Sequence, residues 1–371
     1  MNDPSAEAMR RTLGELLAKK QDYRQEVRKR VEPYKYVVFY GCGNIFHGIV
    51  SSWNRHAGRR VDFCCDSDSG KWGKEFAGLK CISPDELDKI KNDCAVYVTI
   101  GNFEPVLASL LGKGFPFVDV VSKNALDIAA FIASEPQEAV LSALCETYGL
   151  LADKRSRDVF EAIVRRVLDA GTRPGIMAEV CEKDQYFPAD VLPLSEHESL
   201  ADIGAFNGDT VRDFTERTRG RFDNIFSFEV DAINFKSLEE TVRGVPGRER
   251  IKIFNLGIWN SERDITYSVG LSQSTVGTGE AKGHVVPLDD VLKDEKVTLI
   301  KMDIEGAEPM ALRGSSNIIR TQKPKLAICV YHDFRHLWEI PLYIRSLVPG
   351  YRIYLRHHTC LEYETVCYAR L

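Results

Sequence analysis

The spacing of apolar residues separates the chain into helical and alternating stretches. Residues 5–31 carry leucine and valine at helical spacing among many charged residues, which predicts an amphipathic N-terminal helix. From Tyr36 to near residue 125, short apolar runs ending in Gly, Asp or Asn alternate with helical stretches. These runs are YVVFYGCGN, VDFCCDSD, CAVYVTIGN and FPFVDVV. The alternation predicts βαβ units on a parallel sheet.

Residues 126–172 read almost entirely as helix, and GTRPG then interrupts the pattern. A second alternating run begins at Leu200, and it predicts a doubly wound α/β sheet. Its seven strand candidates are SLADIGAF, NIFSFEV, IKIFNLGIW, VTLIKMDIEG, KLAICVY, YRIYLRH and ETVCYARL. We therefore expect an N-terminal helix (1–31), a smaller Rossmann-like α/β domain (32–125), a helical connector (126–182) and a larger α/β domain (183–371).

Composition and charge limit the kinds of partner that the chain can bind. The chain has 371 residues, of which 44% are hydrophobic and 28% charged, with a formal net charge of -5. Acidic and basic residues are interleaved, so no basic field exists to hold a nucleic-acid backbone. No apolar run approaches the roughly 20 residues that cross a bilayer, and we expect no membrane span.

Cysteine usage indicates the compartment. The ten cysteines fall mostly in apolar runs and none forms a CxxC pair, which is typical of buried, reduced thiols. The N-terminal residues also lack an apolar stretch of signal-peptide type. We expect a cytoplasmic protein without a metal, and a homo-oligomer is left open.

Residues 200–210, LADIGAFNGDT, predict a strand that runs through a glycine turn into a helix. A helix N-terminus presents unpaired N–H groups, and such units bind the polar parts of nucleotides. Gly204 and Gly208 allow a close approach of backbone to ligand, and Thr210 places a hydroxyl in the first helical turn. The spacing differs from GxGxxG and suits a ligand that ends in an amino acid. The alternative is that the glycines merely pack helix against strand.

Acidic residues lie at the ends of two later strand candidates, NIFSFEV and VTLIKMDIEG. Glu229, about twenty residues past the turn, is placed to accept hydrogen bonds from both hydroxyls of a ribose. The turn, this acid and the strand order together favour S-adenosylmethionine as ligand. The run IKMDIEGAE brings Asp303, Glu305 and Glu308 to the crevice edge of the sheet. Of these we interpret Glu308 as a helix cap or a solvated helix residue.

Several stretches together resemble the FkbM-type S-adenosylmethionine-dependent methyltransferases over residues 183–371. They are SLADIGAFNGDTVRDF, FSFEVDAINFKSLEETV, NLGIWNSERDITY, VPLDDVL, VTLIKMDIEGAEPMALRGSSNIIRTQKPKLAICVYH and LWEIPLYIRSLVPGYRIYLRHH. The resemblance implies a class I methyltransferase fold with a Rossmann-like seven-stranded sheet. It also implies O-methylation of a hydroxyl on a sugar, sugar nucleotide or related polysaccharide precursor.

The resemblance also implies a cofactor site. Glu229 would hold the ribose, Asn255 and Gly257 would lie near the adenine, and Asp303 would form the floor beside the methyl group. The residues that would border the methionine part are Asp202, Gly204, Ala205, Phe206, Asn207, Gly208 and Thr210. FEVDA stands where many members have a Glu-Pro pair, and the ribose role needs only the Glu.

Three side chains are candidates for the base that removes the acceptor proton: Asp303, Glu305 and His332. Histidine is slightly favoured because its ordinary pKa lies near neutral pH. His332 and His336 have the spacing of a metal-binding helix, and Asp303 and Glu305 are the residues that would complete such a site, but there is no HExxH motif and no cysteine pair. Tyr186, just before the methyltransferase-like stretch, either covers the cofactor or packs the connector.

The first α/β domain is similar to the Rossmann-like domains at the front of nucleotide-sugar acyltransferases and related polysaccharide enzymes. Its glycines at 41, 43 and 48 miss GxGxxG because Phe46 occupies the third place, which argues against NAD. Asp66 holds a ribose or caps the next turn. A nucleotide-sugar oxidoreductase or epimerase is one alternative function, although no tyrosine precedes a lysine by four residues. A non-catalytic glycan- or nucleotide-binding module is the other.

Overall fold

The chain forms two compact units. The structure, a computed structural model, describes residues 4–21, 23–43, 46–100, 103–120, 128, 131, 135–169, 175–268, 275–276 and 281–371. Unit 1 comprises Met1–Cys145, Asp158–Cys181 and Thr359–Glu362. Unit 2 comprises Glu146–Arg157, Glu182–His358 and Tyr363–Leu371. The site predicted from the sequence falls entirely in unit 2.

Unit 1 contains a six-stranded sheet in the order β3-β4-β2-β1-β5-β6. Its strands are β1 Tyr36–Tyr40, β2 Phe63–Cys65, β3 Glu75–Phe76, β4 Leu79–Ile82, β5 Cys94–Val98 and β6 Val118–Val120. Its helices are α1 Pro4–Gln21, α2 Tyr23–Val31, α3 Phe46–His56, α4 Pro84–Lys89 and α5 Glu104–Gly112. All pairings are parallel except β3 with β4. The four predicted strands are present, and the short β3–β4 hairpin was not predicted.

Three helices occupy the stretch predicted as a connector. They are α6 Gln137–Leu150, α7 Lys154–Leu168 and α8 Ile176–Val180. Parts of that stretch, 126–127, 129–130, 132–134 and 170–174, lie outside the described residues. Residues 146–157, between and within the first two helices, belong to unit 2.

Unit 2 contains a seven-stranded sheet in the order β16-β17-β15-β14-β7-β8-β9. Its strands are β7 Ser199–Ile203, β8 Asn224–Phe228, β9 Ile251–Phe254, β14 Leu299–Met302, β15 Lys325–Cys329, β16 Arg352–His357 and β17 Thr365–Arg370. Its helices are α9 Asp209–Thr218, α10 Ala232–Arg243, α11 Leu288–Val291, α12 Glu308–Arg313, α13 Ser316–Gln322 and α14 His336–Leu347. The seven strands are the seven predicted from the sequence, so the predicted fold class is confirmed.

The register of this sheet brings the strand ends together. Ile203 pairs with Phe228 on one side of β7 and with Met302 on the other, and both pairings are parallel. The residues that follow these strands therefore lie along one edge of the sheet. The order reverses at β7, so this edge is also the switch point at which α/β sheets bind ligands.

A smaller sheet follows the third strand of unit 2. Its order is β10-β13-β11-β12, with β10 Gly257–Ile258, β11 Arg263–Ser268, β12 Thr275–Val276 and β13 Ala281–Val286. Ile265, Tyr267 and Val285 form its buried cluster. This sheet was not predicted, because its strands alternate apolar with charged or small residues and lack the continuous apolar runs of the central sheet.

Residues 151–156 extend unit 2 beyond its central sheet. Leu151 bridges Ile353 in the edge strand β16, and the Ala152 N–H donates to the Ile353 carbonyl at 2.8 Å. The Leu355 N–H donates to Ser156 Oγ at 3.0 Å. Backbone groups of the edge strand are thus paired by a segment distant in sequence. Among the described helices, none has both the length and the apolar character needed to cross a bilayer.

Candidate active site

The turn after β7 is shaped by two glycines with positive φ. Gly204 has a φ of 81°, and a Cβ there would lie 1.9 Å from the Asp303 carbonyl oxygen. Gly208 has a φ of 83°, and a Cβ there would lie 2.8 Å from Thr241 Cγ2. Both glycines are required by packing as well as by backbone conformation. Helix α9 begins directly afterwards, and its first two N–H groups are accepted by nearby side chains: Asp209 N–H donates to Asn207 Oδ1 at 3.1 Å, and Thr210 N–H donates to Asp209 Oδ1 at 2.7 Å.

The other predicted members of the turn take distinct positions. Asp202, Ala205 and Thr210 are buried, whereas Phe206 and Asn207 are partly exposed. Gly257 begins β10 of the small sheet, and a Cβ there would lie 2.9 Å from Val285 Cγ1 and 3.4 Å from Val230 Cβ. Asn255 is exposed, and its Nδ2 donates to the Glu229 carbonyl at 2.8 Å. The predicted adenine-side residue is therefore tied to the predicted ribose-side residue.

Glu229 follows β8 and is held by backbone groups on both sides. Its Oε2 accepts the Phe206 N–H at 2.8 Å, and its Oε1 accepts the Asp231 N–H at 2.8 Å. The residue is 7% exposed, and burial raises the pKa of its carboxyl. Each carboxylate oxygen has two lone pairs, so one on each remains for a ligand hydroxyl. The arrangement orients a bidentate acceptor at the edge of the turn.

Asp202 forms a buried ion pair with Lys301. Lys301 Nζ lies 3.1 Å from Asp202 Oδ1 and donates to the Gly204 carbonyl at 2.6 Å. Burial alone would lower the pKa of Lys301, but Asp202 and Asp303 raise it above the ordinary value. Sequence reasoning missed this lysine. Its signal was a charged residue inside the apolar run VTLIKM, because a lysine is almost never fully buried unless it is paired.

Asp303 follows β14 and accepts two tyrosine hydroxyls. Tyr186 Oη donates to Oδ2 at 2.7 Å and Tyr331 Oη donates to Oδ1 at 3.1 Å. Burial opposes ionisation of Asp303, yet Lys301, His332 and these hydroxyls hold its pKa below the ordinary value. Tyr186 therefore contacts the predicted floor of the site directly. Tyr331, one residue before His332, was not singled out from the sequence.

His332 lies among three carboxylates. Its Nδ1 is 2.9 Å from Glu308 Oε1, and its Nε2 is 3.4 Å from Asp303 Oδ1 and 3.5 Å from Glu305 Oε2. Burial lowers the pKa of His332, but the carboxylates, Glu308 first, raise it to about 9. Burial raises the pKa of Glu305 to about 7. The structure thus brings the three predicted catalytic candidates into one cluster with Glu308.

The interpretation of Glu308 as solvated was wrong. Glu308 is fully buried at the start of α12, and its Oε1 accepts the Ile304 N–H at 2.9 Å. The turn between Asp303 and α12 directs its side chain inward, toward His332. The i,i+4 spacing of His332 and His336 is not helical either, because α14 begins only at His336. His336 Nδ1 lies 3.5 Å from Glu308 Oε2, and burial lowers the pKa of His336.

The carboxylate at the corresponding position of unit 1 is occupied by protein groups. Asp66 Oδ2 accepts both the Cys42 N–H and Lys71 Nζ at 2.8 Å, and Oδ1 accepts the Asp68 N–H at 2.9 Å. Asp66 thereby makes the turn-capping contact that was one of its two predicted roles. Phe46, the residue that breaks the glycine pattern, is fully buried against Phe39.

Residues 202–358 match the family model described as Methyltransferase FkbM domain. The solved structure of methyltransferase FkbM from Methylobacillus flagellatus KT is similar to this chain at 24% identity, with a TM-score of 0.77. That likeness covers 99% of this chain and 100% of the other. A putative rRNA-methylase from Clostridium thermocellum matches at 8% identity and a TM-score of 0.31, covering 46% of this chain and 84% of the other. No curated protein matches.

The family-model match confirms the resemblance predicted from the sequence and supports a methyltransferase function. The similarity to the Methylobacillus structure extends over both units and shows their fold. The match begins at Asp202 and contains Glu229, Asp303, Glu305 and His332, so the clustered carboxylates belong to the matched domain.

Proposed function

We propose that this chain, whose residues 202–358 match the Methyltransferase FkbM domain model, transfers a methyl group from S-adenosylmethionine to a hydroxyl oxygen. The acceptor class we propose is a sugar, a sugar nucleotide or a related polysaccharide precursor, as the family resemblance implies. The observation that carries the cofactor proposal is the state of Glu229, a buried carboxylate fixed by two backbone N–H groups.

Glu229 fits the ribose of a nucleoside. Its two oxygens are held at fixed positions by Phe206 and Asp231, and each keeps a free lone pair. Two neighbouring hydroxyls are the ligand that matches such a pair of acceptors. Asp66 of unit 1 differs, because Lys71 occupies the same carboxylate from the side. We therefore assign nucleoside binding to unit 2.

The turn fits the remainder of the cofactor. Gly204 and Gly208 leave backbone without side chains where the ligand passes, and the partial positive charge at the N-terminus of α9 favours a carboxylate. Asp303 and the neighbouring carboxylates favour a cationic sulfur by Coulomb attraction. When bound, S-adenosylmethionine supplies an activated methyl group on that sulfur.

The acceptor hydroxyl is proposed to lie against Asp303, Glu305 and His332. Asp303 already accepts hydroxyls from Tyr186 and Tyr331, so we assign it the role of holding the acceptor. Glu305, whose pKa is raised to about 7 by burial, then receives the proton of the acceptor hydroxyl. His332 lies 3.5 Å from this carboxylate and, with its pKa raised to about 9, is the neighbouring cation. Holding the reactants in line can contribute roughly 7 to 11 kcal/mol in well-oriented systems. Orientation is thus the main task of these residues.

The cofactor proposal is tested with Glu229→Gln, which keeps the size of the side chain but removes one acceptor. We expect affinity for S-adenosylmethionine to fall about tenfold or more, corresponding to roughly 1.4 kcal/mol. Isothermal titration of the wild-type and variant proteins measures this. Glu240→Gln, on the exposed face of α10, is the matched control and is expected to bind like wild type.

The acceptor proposal is tested by mass spectrometry of sugars and sugar nucleotides incubated with protein and cofactor. A gain of one methylene unit on a hydroxyl is the expected product. Absence of S-adenosylmethionine binding by the wild-type protein would remove the proposed function. Cofactor binding with methylation of nitrogen or sulfur instead would remove only the acceptor class.

A further inference from the structure

The surroundings of His332 are rich in carboxylates. Three carboxylates lie within 3.5 Å of the two ring nitrogens. The nearest lysine, Lys301, is already paired with Asp202 at 3.1 Å. A buried site of this composition favours a bound cation.

The imidazole of His332 is the second observation that points to a ligand. Its side chain is 8% exposed. Its Nε2 makes no aligned hydrogen bond with a described residue, and the two carboxylate oxygens nearest to it lie 3.4 and 3.5 Å away. Glu308 is fully buried, and its Oε2 also makes no aligned hydrogen bond with a described residue. Buried polar atoms are rarely left this way unless an ion or another group completes them.

The spacing of the inward-facing atoms matches a metal site. Two ligand atoms bound at about 2.1 Å to one tetrahedral ion lie about 3.4 Å apart. His332 Nε2 lies 3.4 Å from Asp303 Oδ1 and 3.5 Å from Glu305 Oε2. An ion bound to Nε2 between these oxygens is therefore within reach of either carboxylate. Asp303, Glu308 and His332 also bring one potential ligand atom each within 4.8 Å of one another.

We propose that Asp303, Glu305 and His332 bind a divalent first-row transition-metal ion through Oδ1, Oε2 and Nε2. One imidazole and two carboxylates are ligands that such ions accept, Mn²⁺ and Zn²⁺ among them. Three protein ligands leave a position open for water or for a hydroxyl oxygen. If the proposed function holds, the hydroxyl of the acceptor is the ligand for that position.

Outer contacts support the same arrangement. Glu308 lies 2.9 Å from Nδ1 of His332, where a carboxylate holds the proton on Nδ1 and leaves Nε2 free for a metal. The hydroxyls of Tyr186 and Tyr331 orient Asp303 from the other side. His332 and Asp303 therefore each have a neighbour that orients the side chain.

The test uses the full-length protein after treatment with a chelator, without S-adenosylmethionine. Mn²⁺ is titrated and followed by electron paramagnetic resonance of the free ion. We expect one Mn²⁺ per chain, with affinity lowered at least about tenfold in Glu305→Gln and in His332→Gln. Circular dichroism melts of metal-free protein show that the variants are folded. Two variants are used so that misfolding of one leaves the other informative.

His284→Ala is the matched control. His284 also lies between two carboxylates, with Nδ1 at 2.8 Å from Asp264 and Nε2 at 3.3 Å from Glu262, but its side chain is 40% exposed. Its replacement is expected to leave Mn²⁺ binding unchanged. The metal site is refuted if wild-type protein binds no Mn²⁺, if both cluster variants bind it like wild type, or if His284→Ala weakens it equally.

Titration of S-adenosylmethionine into the same metal-free protein separates the two proposals. Cofactor binding without any Mn²⁺ binding would refute the metal site and leave the proposed function standing. Mn²⁺ binding without cofactor binding would refute the proposed function and leave the metal site standing.

Discussion

Gly204 is where the turn after β7 comes closest to the neighbouring strand end. A side chain there meets the backbone of Asp303, which cannot rotate away as a flexible side chain can. The positive φ adds strain for any other residue. The turn and the strand that delivers Asp303 are thus in direct backbone contact at a single residue.

Gly204→Ala is expected to destabilise the protein by about 1–3 kcal/mol or more and to abolish cofactor binding, because either the turn or Asp303 must move. Urea unfolding and isothermal titration measure the two effects. Gly149→Ala is the control, since no heavy atom lies within 4 Å of its added Cβ. Equal stability of the two variants would contradict the close contact.

The contribution of Lys301 to the free energy of unfolding depends on its ion pair with Asp202. Lys301→Met is expected to cost about 3–5 kcal/mol, because it leaves Asp202 buried and unpaired. The double variant Lys301→Met/Asp202→Asn is expected to recover part of that loss. Urea unfolding of both variants gives the coupling free energy. Lys296→Met, on an exposed lysine, is the control and should change stability by less than about 0.5 kcal/mol.

If Lys301→Met unfolds at the same urea concentration as wild type, the ion pair contributes no stability and Asp202 must be neutral in the folded protein. Recovery in the double variant, by contrast, would show that Asp202 is the source of the cost.

At the scale of elements, three strands of the central sheet are joined at their starts by Glu198. Its Oε1 accepts Lys325 Nζ, at the first residue of β15, at 2.5 Å. Its Oε2 accepts the hydroxyl of Thr298, just before β14, at 2.5 Å. Glu198 itself precedes β7 and is 2% exposed. These contacts align the strand starts, and the active-site residues follow the opposite ends.

Glu198 makes stability depend on pH. Burial alone would raise its pKa, but Lys325 and Thr298 hold it below the ordinary value. A lowered folded-state pKa stabilises the protein above the unfolded-state pKa of about 4.3, and this stabilisation is lost as the pH falls further. Glu198→Gln is therefore expected to lower the free energy of unfolding at pH 7 by about 1–3 kcal/mol.

The difference between wild type and Glu198→Gln should shrink as the pH falls below that value. Urea unfolding at neutral and acidic pH follows the difference. Glu196→Gln serves as control, because Glu196 pairs with Arg221 while 58% exposed, and surface pairs contribute little. A gap between wild type and Glu198→Gln that stays constant with pH would contradict the assignment.

At the scale of the whole molecule, unit 2 is assembled from separated segments of the chain. Residues 146–157 pair with the edge strand β16 and supply Asp153, whose Oδ2 lies 2.8 Å from the buried Arg356. The predicted boundary at residue 183 would leave this segment out. Arg356 would then lose one of its charge partners, and edge backbone groups would lose theirs.

A fragment of residues 183–371 is accordingly expected to unfold at lower urea concentration than a fragment of residues 146–371. Circular dichroism during urea titration compares the two. Asp153→Asn in the longer fragment should reproduce part of the loss, because it weakens only the Arg356 contact. Identical midpoints for the two fragments would show that residues 146–182 add no stability to unit 2.

Local pattern determined much of this protein. Largely apolar runs identified all seven strands of the central sheet, because strands buried on both faces are built mostly from apolar residues. The turn at Gly204 and the acids after β8 and β14 were visible for the same reason. The small sheet was not, since half-buried strands of few residues resemble loops in composition.

Tertiary structure alone decided which charges meet. Asp66 and Glu229 follow equivalent strands of the two units. Only the fold shows that Asp66 is bound by Lys71, whereas Glu229 is held by backbone N–H groups. The inward turn of Glu308 and the burial of Lys301 likewise depend on neighbours far along the chain. The energy of such an interaction depends on the distance between the charges and on how deeply they are buried. The order of residues along the chain gives neither quantity.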